Sequence, residues 1–206
     1  MRSSEINQRS SSRRLSPGVI ACPACAGPLK PDVKWCPHCN FTGGDTMKIF
    51  TDSPPPLLPI LDAAGILKDN DIRKIEASLA SIRRRFPQFQ WRIWTVCLPP
   101  ETSLPLFGFW LLNACPFHKT ETVEERAWTI LLLINADNGQ VALVPGYAAE
   151  PFLSDSEWKA VLATMSEPWN AGLPAEAILA FLKESRIRLN QAWKRYGTRR
   201  ASKSTQ

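Results

Sequence analysis

Two short cysteine knuckles, Cys22-Pro-Ala-Cys25 and Cys36-Pro-His-Cys39, stand ten residues apart near the start of the chain. Nothing else in the 206 residues restricts folding as much. Two thiolates three positions apart in a tight turn can share one tetrahedral ion at about 2.3 Å, and a second such turn completes its shell. The proline after each first cysteine pre-sets φ for the turn, and the residues that follow the knuckles, Ala26-Gly27 and Asn40, are small or tolerate left-handed backbone. The nearby large apolar residues, Leu29, Val33, Trp35 and Phe41, are too few for a self-supporting core. An ion must supply the missing stability, on the order of 10–16 kcal/mol in small zinc modules. Four sulfurs fill a tetrahedron and leave no position for a reacting water, so a structural zinc on Cys22, Cys25, Cys36 and Cys39 is expected. His38 is then a bystander or an outer-shell donor. Two disulfides or a redox Cys-x-x-Cys pair compete with this reading, but matched knuckles with so little fold around them favour the metal.

Residues 20–43 resemble a zinc ribbon. The other two cysteines differ: Cys97 ends an apolar strand pattern and Cys115 an apolar helix pattern, so both read as small buried hydrophobes. After Gly43-Gly44 come Pro54-Pro55-Pro56 and Pro59, and residues 44–59 read as a Pro-rich linker, a semi-rigid polyproline II spacer.

Helix and strand periods alternate from there. Ile72, Ile75, Leu79, Ile82 and Phe86 form one helical stripe behind Asp69 as N-cap, and Pro87 stops it. Phe89 to Cys97 alternates as a strand with one strongly apolar face, and Leu104 to Asn113 reads as a buried helix. Trp128 to Ile134 is apolar nearly throughout, as in a central strand, and Asn138-Gly139 predicts a two-residue hairpin turn into Val141–Val144. Ser154-Asp-Ser-Glu157 is a capping box for a helix to about Met165; Pro174 opens a last helix that Gly197 closes. The order α-β-α-β-β-α-α predicts an α/β domain over 60–197: a small mixed β-sheet with helices on both faces, a three-layer sandwich, preceded by the small zinc ribbon.

The net charge of +6 sits at the ends. Arg2, Arg9, Arg13 and Arg14 against Glu5 give the first twenty residues +3, and Arg199, Arg200 and Lys203 give the last ten another +3. Residues 1–19 and 198–206 are therefore expected to be disordered basic tails, and a neutral body does not point to nucleic acid as a partner. Neither a signal peptide nor a transit helix fits the start of the chain. The apolar runs Leu104–Leu112 and Trp128–Ile134 are shorter than the roughly 20 residues that cross a bilayer, so no membrane span and a cytoplasmic location are expected.

Asp62-Ala-Ala-Gly65-Ile-Leu67, then Asp71 and Ile75-Glu76, resembles the opening motif of TPM domains, D-x-A-G-x-L-s-x-x-D-x-x-I-E. Phe86-Pro87, Leu131-Leu132-Leu133, Gly146-Tyr147 and Leu153-Ser154-Asp155 agree with it, and the likeness spans about residues 57–197. The resemblance implies that the acids matching Asp62 and Asp155 gather at one end of the sheet, and that the chain shares a family in which some members are described as phosphatases or calcium binders. Asp62, Glu150 and Asp155 are then candidates to hold calcium or magnesium, since hard cations take clustered carboxylates. Two features depart from the pattern. Gly146-Tyr147-Ala148-Ala149-Glu150 stands where the family reads G-Y-G-L-E, and a zinc ribbon stands where a secretion signal and membrane anchor are usual. Asp62 and Asp155 also precede helices, where acids serve as caps. With two histidines, no Gly-rich phosphate loop and no G-x-S-x-G elbow, no other catalytic set is present. The expected function is accessory: a cytosolic zinc-ribbon/TPM protein that acts by binding an unidentified protein partner. The alternative is a divalent-metal-dependent phosphatase.

Overall fold

A computed structural model describes residues 20–25, 27–29, 33–50, 53–116, 121–146 and 148–203. The tail expected over 1–19 lies outside the described residues. The elements are β1 (Ile20–Ala21), β2 (Pro28–Leu29), α1 (Asp45–Ile49), β3 (Ile60–Asp62), α2 (Asp69–Arg85), β4 (Gln90–Val96), α3 (Leu104–Ala114), α4 (Val123–Ala127), β5 (Thr129–Asn135) and β6 (Gln140–Pro145). A short 3-10 turn (Glu150–Phe152) and the helices α5 (Asp155–Ala163), α6 (Ser166–Asn170) and α7 (Pro174–Lys203) complete the chain. Two compact units result, Met1–Ile66 with Phe86–Pro151, and Leu67–Arg85 with Phe152–Gln206.

The first unit holds a four-stranded mixed sheet in the order β3-β4-β5-β6, parallel except for β6. All seven residues of β5 are buried, as the unbroken apolar run predicts for a strand covered on both faces. β4 departs from the expected one-sided pattern, because Trp94 and Val96 are buried as well as Trp91 and Ile93. Trp94, Val96, Leu131, Leu133 and Ala142 form one core with Leu104, Trp110 and Leu111 of α3 and with Cys115, which caps its end. Gly108 permits this approach: a Cβ there would stand 2.6 Å from Val144 Cγ2 and 2.8 Å from Leu133 Cδ1. β3 is only three residues long and was not visible as a period in the sequence.

The segment before β3 is packed rather than free. Phe50 sets its ring 5.3 Å from Phe107 and 5.1 Å from Trp110, Leu57 is buried in the same core, and Trp94 Nε1 donates to Leu58 O at 2.9 Å. Among the residues read as linker, 45–49 form helix α1, tied at its start by Asp45, whose Oδ2 accepts the Thr42 N–H at 2.7 Å.

Arg126 closes the far end of α3. Its Nη1 donates to Leu112 O and Cys115 O, both at 3.2 Å, and its Nη2 to Pro116 O at 3.3 Å. Glu121 takes Nε and Nη2 bidentately, each at 2.7 Å, with both side chains 8% exposed. The hairpin between β5 and β6 is longer than expected. Asn135 pairs with Gln140, so residues 136–139 make the connection, with Gly139 at φ +67 and its N–H on Asn135 O at 2.9 Å. A two-residue type I′ turn needs positive φ at Asn138 too, which it lacks. Asn135 itself is buried and bonds both backbone groups of Leu98 through its amide, at 3.0 and 3.2 Å. Cys115 is buried as expected, but Cys97 is exposed: it falls one residue past the last paired position of β4, where the sheet no longer covers it.

The second unit is helical. Ile75 and Ile82 of α2, Trp158 and Val161 of α5, and Ile178, Phe181, Leu182 and Leu189 of α7 are among its buried residues. The capping box of α5 is complete, with Ser154 Oγ accepting from Glu157 N and Glu157 Oε2 accepting the Ser154 N–H at 2.6 Å. Arg195 adds a 2.8 Å ion pair to Glu157. Burial alone would raise the Glu157 carboxyl, but Ser154 and Arg195 hold it below its ordinary value. α7 runs on to Lys203, past Gly197 where the sequence predicted its end. One internal glycine costs a helix about 1 kcal/mol against alanine, too little to stop it among the arginines and alanine that follow.

Candidate metal centre

Each knuckle is built the same way. The N–H of its first cysteine donates to the carbonyl five residues on, Cys22 to Gly27 at 2.9 Å and Cys36 to Phe41 at 2.8 Å. Asn40 ends the second knuckle at φ +58, the left-handed position the sequence reserves for it. β1 and β2 pair antiparallel and frame the first knuckle, Ile20 opposite Leu29 and Ala21 opposite Pro28. Gly27 leaves room for the partner knuckle, since a Cβ there would stand 2.5 Å from His38 Cδ2. His38 therefore lies over the first knuckle.

The four sulfurs converge. Cys22 Sγ lies 3.7 Å from Cys39 Sγ, Cys25 Sγ lies 3.6 Å from Cys36 Sγ, and all four fall within 4.8 Å of one another. A tetrahedron with arms of about 2.3 Å has edges of about 3.8 Å, so the set fits one ion; sulfurs at such distances are far from the roughly 2.05 Å of a disulfide. Two amides, Gly27 N–H to Cys25 Sγ and His38 N–H to Cys36 Sγ, each at 3.4 Å, point positive charge at the cluster. Sequence reasoning had no sign of these backbone donors, because they depend on the turn and not on the side chain. Cys22 and Cys36 are buried, Cys25 and Cys39 exposed.

The thiols do not titrate alike. Burial pushes the Cys22 thiol up. It acts on Cys36 too, but the amides of His38 and Cys39 and the sulfurs of Cys25 and Cys39 outweigh it and bring that thiol down to about 6. Cys39 receives the Phe41 amide, which lowers it, but burial and the three neighbouring sulfurs drive it to about 12. Four like charges in this space need a cation among them, and a divalent ion held there would supply it.

Two of the acidic candidates, Asp62 and Glu150, are placed apart. Asp62 ends β3, where Thr95 Oγ1 donates to its Oδ1 and the Ile66 N–H reaches the same oxygen at 3.2 Å, closing the turn that carries Gly65 at φ +66. Glu150 is 2% exposed, four residues beyond Gly146, whose N–H bonds Thr129 O at 2.7 Å. Asp62 pairs with Thr95 while Thr129 pairs with Gln90, so these acids lie toward opposite ends of the parallel strands. The five-residue step from Thr95 to Gln90 spans about 16 Å at the rise of a strand. Asp155 opens α5. Among the described residues, the one group of three or more metal-ligating side chains that converge is the cysteine set, and no helix is long and apolar enough to cross a membrane.

The family model described as TPM domain matches residues 60–186. Among solved structures, the N-terminal domain of a protein from P. gingivalis shares 17% identity at TM-score 0.50, over 71% of this chain and 88% of that one. The N-terminal domain of the cg2496 protein from Corynebacterium glutamicum shares 13% at TM-score 0.48, over 63% and 78%. No curated protein sequence matches the chain.

Proposed function

The chain belongs to the TPM-domain family over residues 60–186, and on that premise we propose that it is a cytosolic accessory protein, a structural zinc ribbon joined to a TPM domain, that acts by holding a protein partner. The observation that carries this reading is the four-sulfur cluster, a closed coordination shell with no place for a reacting water. Zinc suits it best among available ions, since four thiolates at tetrahedral edge lengths are the donor set of structural zinc sites. When bound, the ion supplies the folding energy that Leu29, Val33, Trp35 and Phe41 cannot. Cys22, Cys25, Cys36 and Cys39 hold it, and the Gly27 and His38 amides offset the thiolate charge.

Folding around the ion leaves Val33 41% and Trp35 58% exposed beside Cys36. Such residues are the usual anchors of protein contacts. Affinity purification of the full chain should return a partner in stoichiometric amount, and Trp35→Ala should release it while the metal content stays at one per chain. Failure to retain any partner under several conditions refutes the accessory role. Phosphatase turnover that depends on calcium or magnesium and falls with Asp62→Asn or Asp155→Asn would put the divalent-cation reading in its place.

A further inference from the structure

Counted along the chain, the body of the protein is neutral, yet its second unit sorts that charge by position. α2 keeps Asp69, Asp71 and Glu76 in its first half, and its last nine residues, Ala77–Arg85, carry Arg83, Arg84 and Arg85 with no acid. α7 is divided likewise: from Ser185 to Arg195 stand four Lys or Arg and no Asp or Glu. Three contacts in order along both helices show that they run parallel. Lys74 lies 4.0 Å from Glu176, Arg186 Nη1 donates to Ser81 Oγ at 3.3 Å, and Arg85 Nε donates to Asn190 Oδ1 at 3.3 Å. This register lays the triple-arginine end of α2 against the basic part of α7. Arg83, Arg84, Arg85, Arg186 and Lys194 are all exposed. Glu184 and Glu157 pair with Arg188 and Arg195, at 2.6 and 2.8 Å, and the two segments place seven cations with described side chains along this register.

We propose that this two-helix face binds the phosphate backbone of a single-stranded nucleic acid. Six of these seven cations are arginine, whose planar fork matches phosphate oxygens two at a time. Trp193, 47% exposed on the same stretch of α7, offers a plane on which an unpaired base can stack. A helix that lies on an anionic membrane needs a continuous apolar face. Among the described residues of α7, the exposed large apolar ones are Ile187 and Trp193, too few to make one.

The test measures fluorescence anisotropy of a labelled oligothymidylate of about 20 nucleotides with the full chain. Binding should weaken by about tenfold to a hundredfold between roughly 50 and 200 mM salt, as counterion release from several phosphates requires. Reversing Arg83→Glu with Arg84→Glu should weaken it at least about tenfold at low salt, the loss of several phosphate contacts. The matched reversal of exposed Lys68→Glu with Lys159→Glu should change it little, and equal urea midpoints would show that both variants remain folded. No binding at low salt, or equal loss in both variants, overturns the proposal. So does a preference for phosphatidylserine vesicles over the oligonucleotide that depends on the same arginines, which would assign the face to a bilayer.

Discussion

Arg126 should be worth more than the charge pair it belongs to. Replacing it with methionine keeps the aliphatic stem but removes a guanidinium that serves two sets of partners, the Glu121 carboxylate and the carbonyls of Leu112, Cys115 and Pro116. With both side chains 8% exposed, Arg126→Met strands a nearly buried carboxylate, which costs about 3–5 kcal/mol. Water reaching the end of α3 replaces part of the lost carbonyl bonds, so these add about 1 kcal/mol. Glu121→Gln preserves shape and leaves Arg126 on its three carbonyls, and should cost about 1–2 kcal/mol. For a chain of this length each kcal/mol moves the melting point by about 2–4 °C, giving a fall of about 10–20 °C for Arg126→Met and less than half that for Glu121→Gln. Thermal melts and urea midpoints followed by circular dichroism measure both. If Glu121→Gln costs as much as Arg126→Met, closing the helix end contributes nothing and the reasoning is wrong.

Metal analysis of freshly purified protein should find one zinc per chain, and Cys25→Ser or Cys36→Ser should abolish it and unfold residues 20–43 while the α/β domain keeps its circular dichroism. Gly108→Ala places a Cβ 2.6 Å from Val144 Cγ2, so it should destabilise by about 1–2 kcal/mol in urea melts although alanine is the better helix former; a neutral result would show that α3 can shift off the sheet. The Asp45 carboxyl is lowered from 3.8 to about 2 by Lys48 first and then by the Thr42 amide and hydroxyl. Its contribution to the start of α1 is therefore in full force above pH 3.8 and fades as pH falls through about 2. Following the Thr42 amide by NMR should place its transition in that window, and a midpoint near 4 would contradict it.

Long regular signals were legible before any coordinates. The apolar run from Trp128, the buried helix from Leu104, the capping box at Ser154 and the paired knuckles each carry their own pattern, and each element formed where that pattern lies. Features that arise between distant segments were hidden. β3 has three residues, too few to show a period, and becomes a strand by pairing Ile60 with Ile93. Phe50 and Leu57 looked like parts of a spacer because their partners, Phe107 and Trp110 among them, lie some fifty residues away. Cys97 fits the alternation of β4 but sits one step beyond its pairing. The convergence of the four cysteines could be read from spacing alone, since a tetrahedral shell fixes the sequence that can wrap it. The acids could not, because Asp62 and Glu150 are placed by the strand register, which composition does not record.

The packing of Phe50 and Leu57 bears on how the protein should be cut for the laboratory. A fragment trimmed to the recognised span, residues 60–186, would amputate both side chains and bare the rings of Phe107 and Trp110, while at its other end it would lose Leu189 and Ala192 from the helical unit. Such a piece would be sticky in solution for reasons unrelated to its biology, and a fragment from about residue 42 to beyond Ala192 would be the better-behaved one.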